Sequence, residues 1–314
     1  MAIKLGGLIP PIITPLRADL TVDVESLRAV VEFQLDAGAA GIFALGSSGE
    51  AIYRTDDDRK LIVDVVVSQV NGRVPVLVGA VDATTERVIQ QLDWIEESGA
   101  AGAVVTGPFY ANVSVAETEE HFRNVAGSTT LPLLAYDIPV NTHCHLNPNS
   151  MARLLGESVL AGLKDSSGAL LDFRRIVYAL GPHRQAVLLS GADTTADLAL
   201  QIGADGLIPG LANVRPDLFA TLLRATNAAD MATVELAQRQ IMILSAIYDV
   251  GERYGLGRHA SELGAMKHAL RRRGVIATAL TSLPMAALPP AACREVDSIL
   301  DRVGPTPTSP DHHN

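Results

Sequence analysis

The chain has 314 residues, 48% hydrophobic and 19% charged, which is ample apolar material for a large core and far from the composition of a disordered chain. A net charge of −10, with no basic run beyond Arg271-Arg272-Arg273, excludes a nucleic-acid surface, and two cysteines (Cys144 and Cys293) are too few for a disulfide framework. The apolar N-terminus is broken by glycine and proline, carries no cleavage pattern and lacks the run of about 18 apolar residues that a membrane span needs, so a cytoplasmic protein is expected.

In chain order, apolar runs fall at 8–14, 41–46, 74–80, 102–107, 131–139, 159–165, 186–191 and 205–210. They are continuous rather than alternating, the pattern of strands buried on both faces. Stretches with helical spacing separate them, such as 24–38, 59–70 and 85–99, two of the three closing on glycine. The spacing of roughly 30 residues is that of a βαβ unit. Eight such units predict a (β/α)8 TIM barrel over residues 1–227. The competing doubly wound sheet lacks a GxGxxG turn after the first strand. From 228 to 303 the pattern is helical without strands, predicting an appended C-terminal helical bundle in which Gly274 stops the helix ending in the three arginines. The polar, proline-rich tail, 304–314, reads as disordered.

Active sites of such barrels lie at the C-terminal ends of the strands. Those ends carry Gly46-Ser47-Ser48-Gly49-Glu50, Tyr110, Tyr136-Asp137-Ile138-Pro139, Lys164-Asp165-Ser166, Ser190-Gly191-Ala192-Asp193 and Ile208-Pro209-Gly210. The unusual polar residues therefore converge on one rim.

Lysine is rare here, at positions 4, 60, 164 and 267, yet Lys164 ends an apolar run. A desolvated lysine loses the hydration that favours its ammonium form, so its pKa falls below about 10.4 and a neutral amine becomes available. Such an amine condenses with a ketone to an iminium ion, an electron sink for making or breaking the adjacent carbon–carbon bond. The bland reading is a lysine snorkelling from the strand end or paired with Asp165. Tyr136 ends the preceding strand; its phenol needs a relay to act as a base near neutral pH, and the hydroxyls of Ser47 and Tyr110 are candidate links. The GSSGE turn offers backbone N–H groups and two hydroxyls to a carboxylate or phosphate, with Glu50 read as a structural group tying down the turn.

Together GSSGE (46–50), YDIP (136–139), GLKDSSG (162–168) and SGAD…GLIPGLAN (190–193, 206–213) resemble the dihydrodipicolinate synthase / N-acetylneuraminate lyase family of class I aldolases, over nearly the whole chain from GLIPPIITPL (7–16) to about residue 302. The resemblance implies a barrel lyase in which Lys164 forms a Schiff base with pyruvate or another 2-oxo acid and Tyr136 moves protons. Ser47 and Tyr110, the latter from a neighbouring subunit, would complete the relay, while the substrate carboxylate would rest on Ser47 and Ser48, with Gly49 a further substrate-binding residue of the turn. Ile208 would approach the pyruvyl part through its backbone. It further implies a homotetramer built as a dimer of dimers, with neither metal nor organic cofactor. Asn141 stands where the synthase branch carries an arginine, which argues against the synthase proper. Of the lyase branch's hydroxyl-binding residues, Ser166 and Asp193 match, but Thr194 and Gly210 depart; Gly191 and Gly210 are included among the substrate-binding residues of the rim. The pocket so described suits a hydroxylated or neutral partner.

Two other readings remain at this stage. His143 and His145 have a spacing that can place two imidazoles on one metal, but no further ligand cluster is evident; His143 could instead touch substrate. A 2-oxo-acid-binding protein without turnover is the non-enzyme reading, against which stands the retained set Lys164, Tyr136 and Ser47.

Overall fold

The computed structural model describes residues 5–304 and 306. Eight parallel strands are present: β1 (Gly7–Leu8), β2 (Ile42–Ala44), β3 (Val76–Ala80), β4 (Gly102–Thr106), β5 (Leu133–Asp137), β6 (Gly162–Asp165), β7 (Val187–Ser190) and β8 (Gly206–Leu207). Their order is β1-β8-β7-β6-β5-β4-β3-β2. The remaining gap is closed by a parallel bridge from Pro11 to Phe43, flanked by hydrogen bonds from Phe43 N to Pro10 O and from Ile12 N to Phe43 O, each 3.0 Å. The sheet is thus a closed barrel, as expected.

Side-chain parity sets its layers, since alternate residues of a strand face opposite sides. Phe43, Leu77, Val104, Leu134, Tyr136, Leu189 and Ile208 form the inner cluster. Val76, Val78, Ala103, Val105, Leu133, Ala135 and Leu163 face outward into the layer shared with the helices. Lys164 is the register partner of Tyr136 on β5 and of Leu189 on β7, so it shares their inward parity.

The helices of the barrel are α1 (Val24–Asp36), α2 (Asp56–Val70), α3 (Thr85–Glu97), α4 (Val115–Gly127), α5 (Pro139–Thr142), α6 (Pro148–Gly156), α7 (Leu170–Leu180), α8 (Ala196–Ile202) and α9 (Pro216–Asn227). Asp23, Thr55, Thr84, Ser114 and Asn147 cap five of them with side-chain oxygens, and Ser114 with Glu117 forms a capping box.

Three further helices follow: α10 (Met231–Ser245), α11 (Arg258–Arg272) and α12 (Pro290–Arg302). Val234, Ile241, Leu263, Met266 and Val296 from these helices share one buried cluster with Leu8 of β1, Leu207 of β8 and Phe219 of α9. The extension is therefore welded to the β1/β8 side of the barrel and brings the start of α11 to the barrel mouth. The sequence-based expectation for the tail concerns residues that, apart from Gly304 and Thr306, lie outside those described. No helix among the described residues is long and apolar enough to cross a membrane.

Candidate active site

A cavity of about 310 Å³ opens at the C-terminal end of the barrel. Lys164 and Tyr136 stand at its floor, 2% and 3% exposed. The amino group Nζ lies 3.8 Å from the centroid of the Tyr136 ring and 4.5 Å from that of Phe43. No carboxylate forms a salt bridge with it among the described residues, so the apolar and aromatic surroundings dominate. Burial pushes the Lys164 pKa below the ordinary lysine value, and the Tyr136 hydroxyl and the Asp193 carboxylate only partly counter it. Asp165, the partner considered from sequence, has the opposite parity. Its carboxylate accepts from Ser167 N at 2.7 Å and Ser167 Oγ at 2.6 Å instead.

Tyr136 Oη lies 3.4 Å from Ser47 Oγ, within hydrogen-bond reach. Ser47 belongs to the tight turn after β2. Glu50 ends that turn in a left-handed conformation (φ 59°) and is fully buried. Its carboxylate accepts from Ser282 N (2.6 Å) and Ser282 Oγ (2.5 Å) and pairs with the buried Lys267 of α11. The structural role read for Glu50 is thus a tie between the turn and the C-terminal extension.

The cavity wall contains Ser47, Ser48, Asn141, Ser166, Gly191, Asp193, Ile208 and Gly210, all named from sequence. Gly49 is not part of it: its carbonyl accepts from Thr14 Oγ1 at 2.7 Å, and a Cβ there would sit 3.2 Å from Ile12 O. Tyr110 does not reach the cavity of its own chain either, being 99% exposed on the loop after β4 with φ 77°. Gly191 is needed for close approach, because a Cβ at that position would overlap Ser166 Oγ and stand 3.3 Å from Lys164 Cε.

Asp193 accepts from Leu211 N at 2.9 Å and from the Tyr248 hydroxyl at 3.0 Å. Burial lifts its carboxyl to about 6, against these two hydrogen bonds, and lifts the Tyr248 phenol well above its usual value. Tyr248, Arg258, His259, Glu262, Leu263 and Met266 complete the wall from the C-terminal extension. Sequence reasoning missed these. Their only local signal was the Arg258/Glu262 spacing of four residues just after Gly257.

The two loop histidines do not come together on an ion. Both ring nitrogens of His145 face carboxylates, Nδ1 to Asp137 at 2.6 Å and Nε2 to Asp172 at 3.2 Å. Burial draws the His145 pKa down, but Asp137 and Asp172 outweigh it and the net shift is upward. His143 caps α5 with a left-handed φ of 55° and is absent from the cavity wall. No cluster of three or more His, Cys, Asp or Glu suited to a metal exists among the described residues.

A closed parallel barrel with an inward lysine and tyrosine at its C-terminal rim is the architecture of a lyase of the class I aldolase type. The family model described as the dihydrodipicolinate synthetase family matches residues 4–303, and the chain belongs to that family. A 4-hydroxy-tetrahydrodipicolinate synthase of Hyphomonas neptunium is 31% identical over 301 residues, 95% of this chain and 98% of the relative. A protein of Escherichia coli named probable 2-dehydro-3-deoxy-D-pentonate aldolase YjhH is 30% identical over 247 residues, 78% of this chain and 82% of its own. Among solved structures, that of YagE, a protein of the dihydrodipicolinic acid synthase family from Escherichia coli in complex with pyruvate, superposes with a TM-score of 0.89 at 27% identity, covering 96% of this chain and 99% of that one.

Proposed function

We propose that the protein catalyses reversible aldol chemistry on pyruvate or a related 2-oxo acid through an imine on Lys164. The observation that carries this reading is the burial of the Lys164 amine, without a salt-bridge partner among the described residues, beside the Tyr136 ring. An uncharged amine adds to the C2 carbonyl of the 2-oxo acid; water leaves and a protonated imine forms. Loss of a C3 proton gives the enamine, whose C3 attacks an aldehyde carbon while the aldehyde oxygen gains a proton. Hydrolysis of the imine releases the product and returns the amine; cleavage is the reverse.

In this reading Tyr136 carries protons to and from the reacting atoms, with Ser47 as the next hydroxyl at 3.4 Å. Ser47 and Ser48 meet the 2-oxo acid's carboxylate, and Ile208 lies against its pyruvyl part. The bound pyruvate of YagE supports the choice of 2-oxo acid. Tyr110 joins the relay only from a second copy of the chain, consistent with its full exposure and with the homotetramer that the family resemblance implies. The synthase reaction proper is the lesser reading, since Asn141 on α5 offers an amide rather than a guanidinium to the partner's carboxylate.

Incubation with pyruvate and borohydride, followed by intact-mass measurement and peptide mapping, tests the proposal. A reduced pyruvate adduct on Lys164, absent from Lys164→Ala, is the expected result; a chain without adduct, or an adduct elsewhere, overturns it. Tyr136→Phe should still trap pyruvate but slow turnover by about 10²–10⁴.

A further inference from the structure

We propose that the Arg258–Glu262 pair of α11 is the specificity determinant for the far end of the substrate, and that it selects an uncharged polyhydroxylated aldehyde as the partner of the 2-oxo acid. The inference rests on the imine reading above and adds the identity of the second substrate.

The cavity has two ends. At the floor, Lys164 is close enough to Asp193 for the carboxylate to favour its charged form. Asp193 in turn contacts Tyr248, and both feel the Glu262 charge. The wall thus runs from Lys164 through Asp193 and Tyr248 to Glu262 and Arg258. A three-carbon 2-oxo acid on Lys164 fills only a small part of a space of about 310 Å³. The outer part is what a second substrate would meet.

The chemistry of that outer part is specific. Arg258 Nε donates to Glu262 Oε1 at 2.8 Å. This fixes the guanidinium plane and leaves Nη1, Nη2 and Glu262 Oε2 without protein partners among the described residues. On an open surface such a pair at i, i+4 contributes little. Here Glu262 is only 22% exposed and faces the cavity, while Arg258, 64% exposed, closes its outer edge. Free donors beside a free acceptor match hydroxyl groups, each of which donates and accepts. Asp193 and Asn141 extend the same pattern inward. A carboxylate or phosphate end would be drawn to Arg258 but would confront Glu262 and Asp193, two acidic groups against one guanidinium. Leu263 and Met266 supply apolar surface for the carbon chain.

The test uses the full chain with pyruvate and four aldehydes: glycolaldehyde, D-erythrose, D-glyceraldehyde 3-phosphate and succinic semialdehyde. Wild-type kcat/KM should favour erythrose over both anionic aldehydes. In Glu262→Gln the erythrose-to-glycolaldehyde ratio of kcat/KM should fall at least about tenfold, because glycolaldehyde carries one hydroxyl where erythrose offers three to the pair. Arg258→Met should lower the same ratio, and Glu262→Asp should restore part of it. Three results overturn the proposal: unchanged ratios, equal losses on both aldehydes, or a wild-type preference for an anionic aldehyde that Arg258→Met abolishes. Borohydride trapping of pyruvate, run in parallel, separates the two levels. A wild-type chain that traps pyruvate yet accepts no hydroxylated aldehyde refutes only the specificity inference, whereas a chain that traps nothing refutes the imine reading beneath it.

Discussion

Lys267→Met puts a number on the tie between the catalytic turn and the C-terminal extension. Lys267 and Glu50 are both fully buried, and Lys267 Nζ also donates to Leu280 O at 2.7 Å. Removing the ammonium while keeping the side-chain volume leaves the Glu50 carboxylate in the core with only the two donors of Ser282. Breaking one partner of a buried pair costs about 3–5 kcal/mol, whereas replacing both by groups of similar volume is often near neutral. With an unfolding entropy of about 2.1 cal/mol/K per residue, a chain of 314 residues should lose about 5–8 °C in Tm. The double variant Glu50→Gln/Lys267→Met should recover most of that loss. Differential scanning calorimetry of wild type, both single variants and the double variant closes the cycle. A loss under about 1 °C in Lys267→Met, or a double variant no better than the single, would show that the pair does not hold the turn in place.

Gly191→Ala should fold normally but lower pyruvate trapping at least about tenfold, because the new methyl overlaps Ser166 Oγ and crowds Lys164 Cε; wild-type trapping would mean that the strand ends give way. Asp193 yields a prediction in pH. Burial raises its folded pKa to about 6 from the ordinary value of 3.8, so the fold favours the protonated form. That contribution is complete below pH 3.8 and is lost as pH rises through 6. Asp193→Asn should therefore compare more favourably with wild type in Tm at pH 8 than at pH 4. A pH-independent difference would place the carboxyl in solvent.

Much of the architecture was legible because strands buried on both faces write uninterrupted apolar runs, and all eight runs became strands. Their lengths were less legible. The run at 8–14 yields only Gly7–Leu8 because Pro10 and Pro11 have no N–H for a ladder, leaving a single bridge at Pro11. Pro209 similarly follows the short β8. At the rim, parity made Lys164 and Tyr136 legible: residues that end neighbouring strands in register share a face. Of the GSSGE turn, Ser47 and Ser48 line the cavity and Gly49 does not, a distinction that the spacing of the motif does not encode. Tyr248, Arg258 and Glu262 were not legible, since helical periodicity predicts that α10 and α11 exist but not that the segment between them and the first turn of α11 fold over the barrel mouth. Lys267 was a missed clue: a lysine among Leu263, Met266 and Leu270 on a buried helix face needs a buried acid, and Glu50 is that acid.

The proposed chemistry needs the Lys164 amine in its neutral form, and burial shifts the equilibrium toward that form. The most direct measurement is the rate of imine formation between pyruvate and Lys164 across pH 5 to 11, followed by rapid borohydride quench and mass spectrometry. A midpoint clearly below the ordinary lysine value of 10.5 is predicted, since burial disfavours the ammonium form more than Tyr136 and Asp193 restore it. A midpoint at 10.5 or above would mean that the ammonium is stabilised in the barrel, contradicting the account.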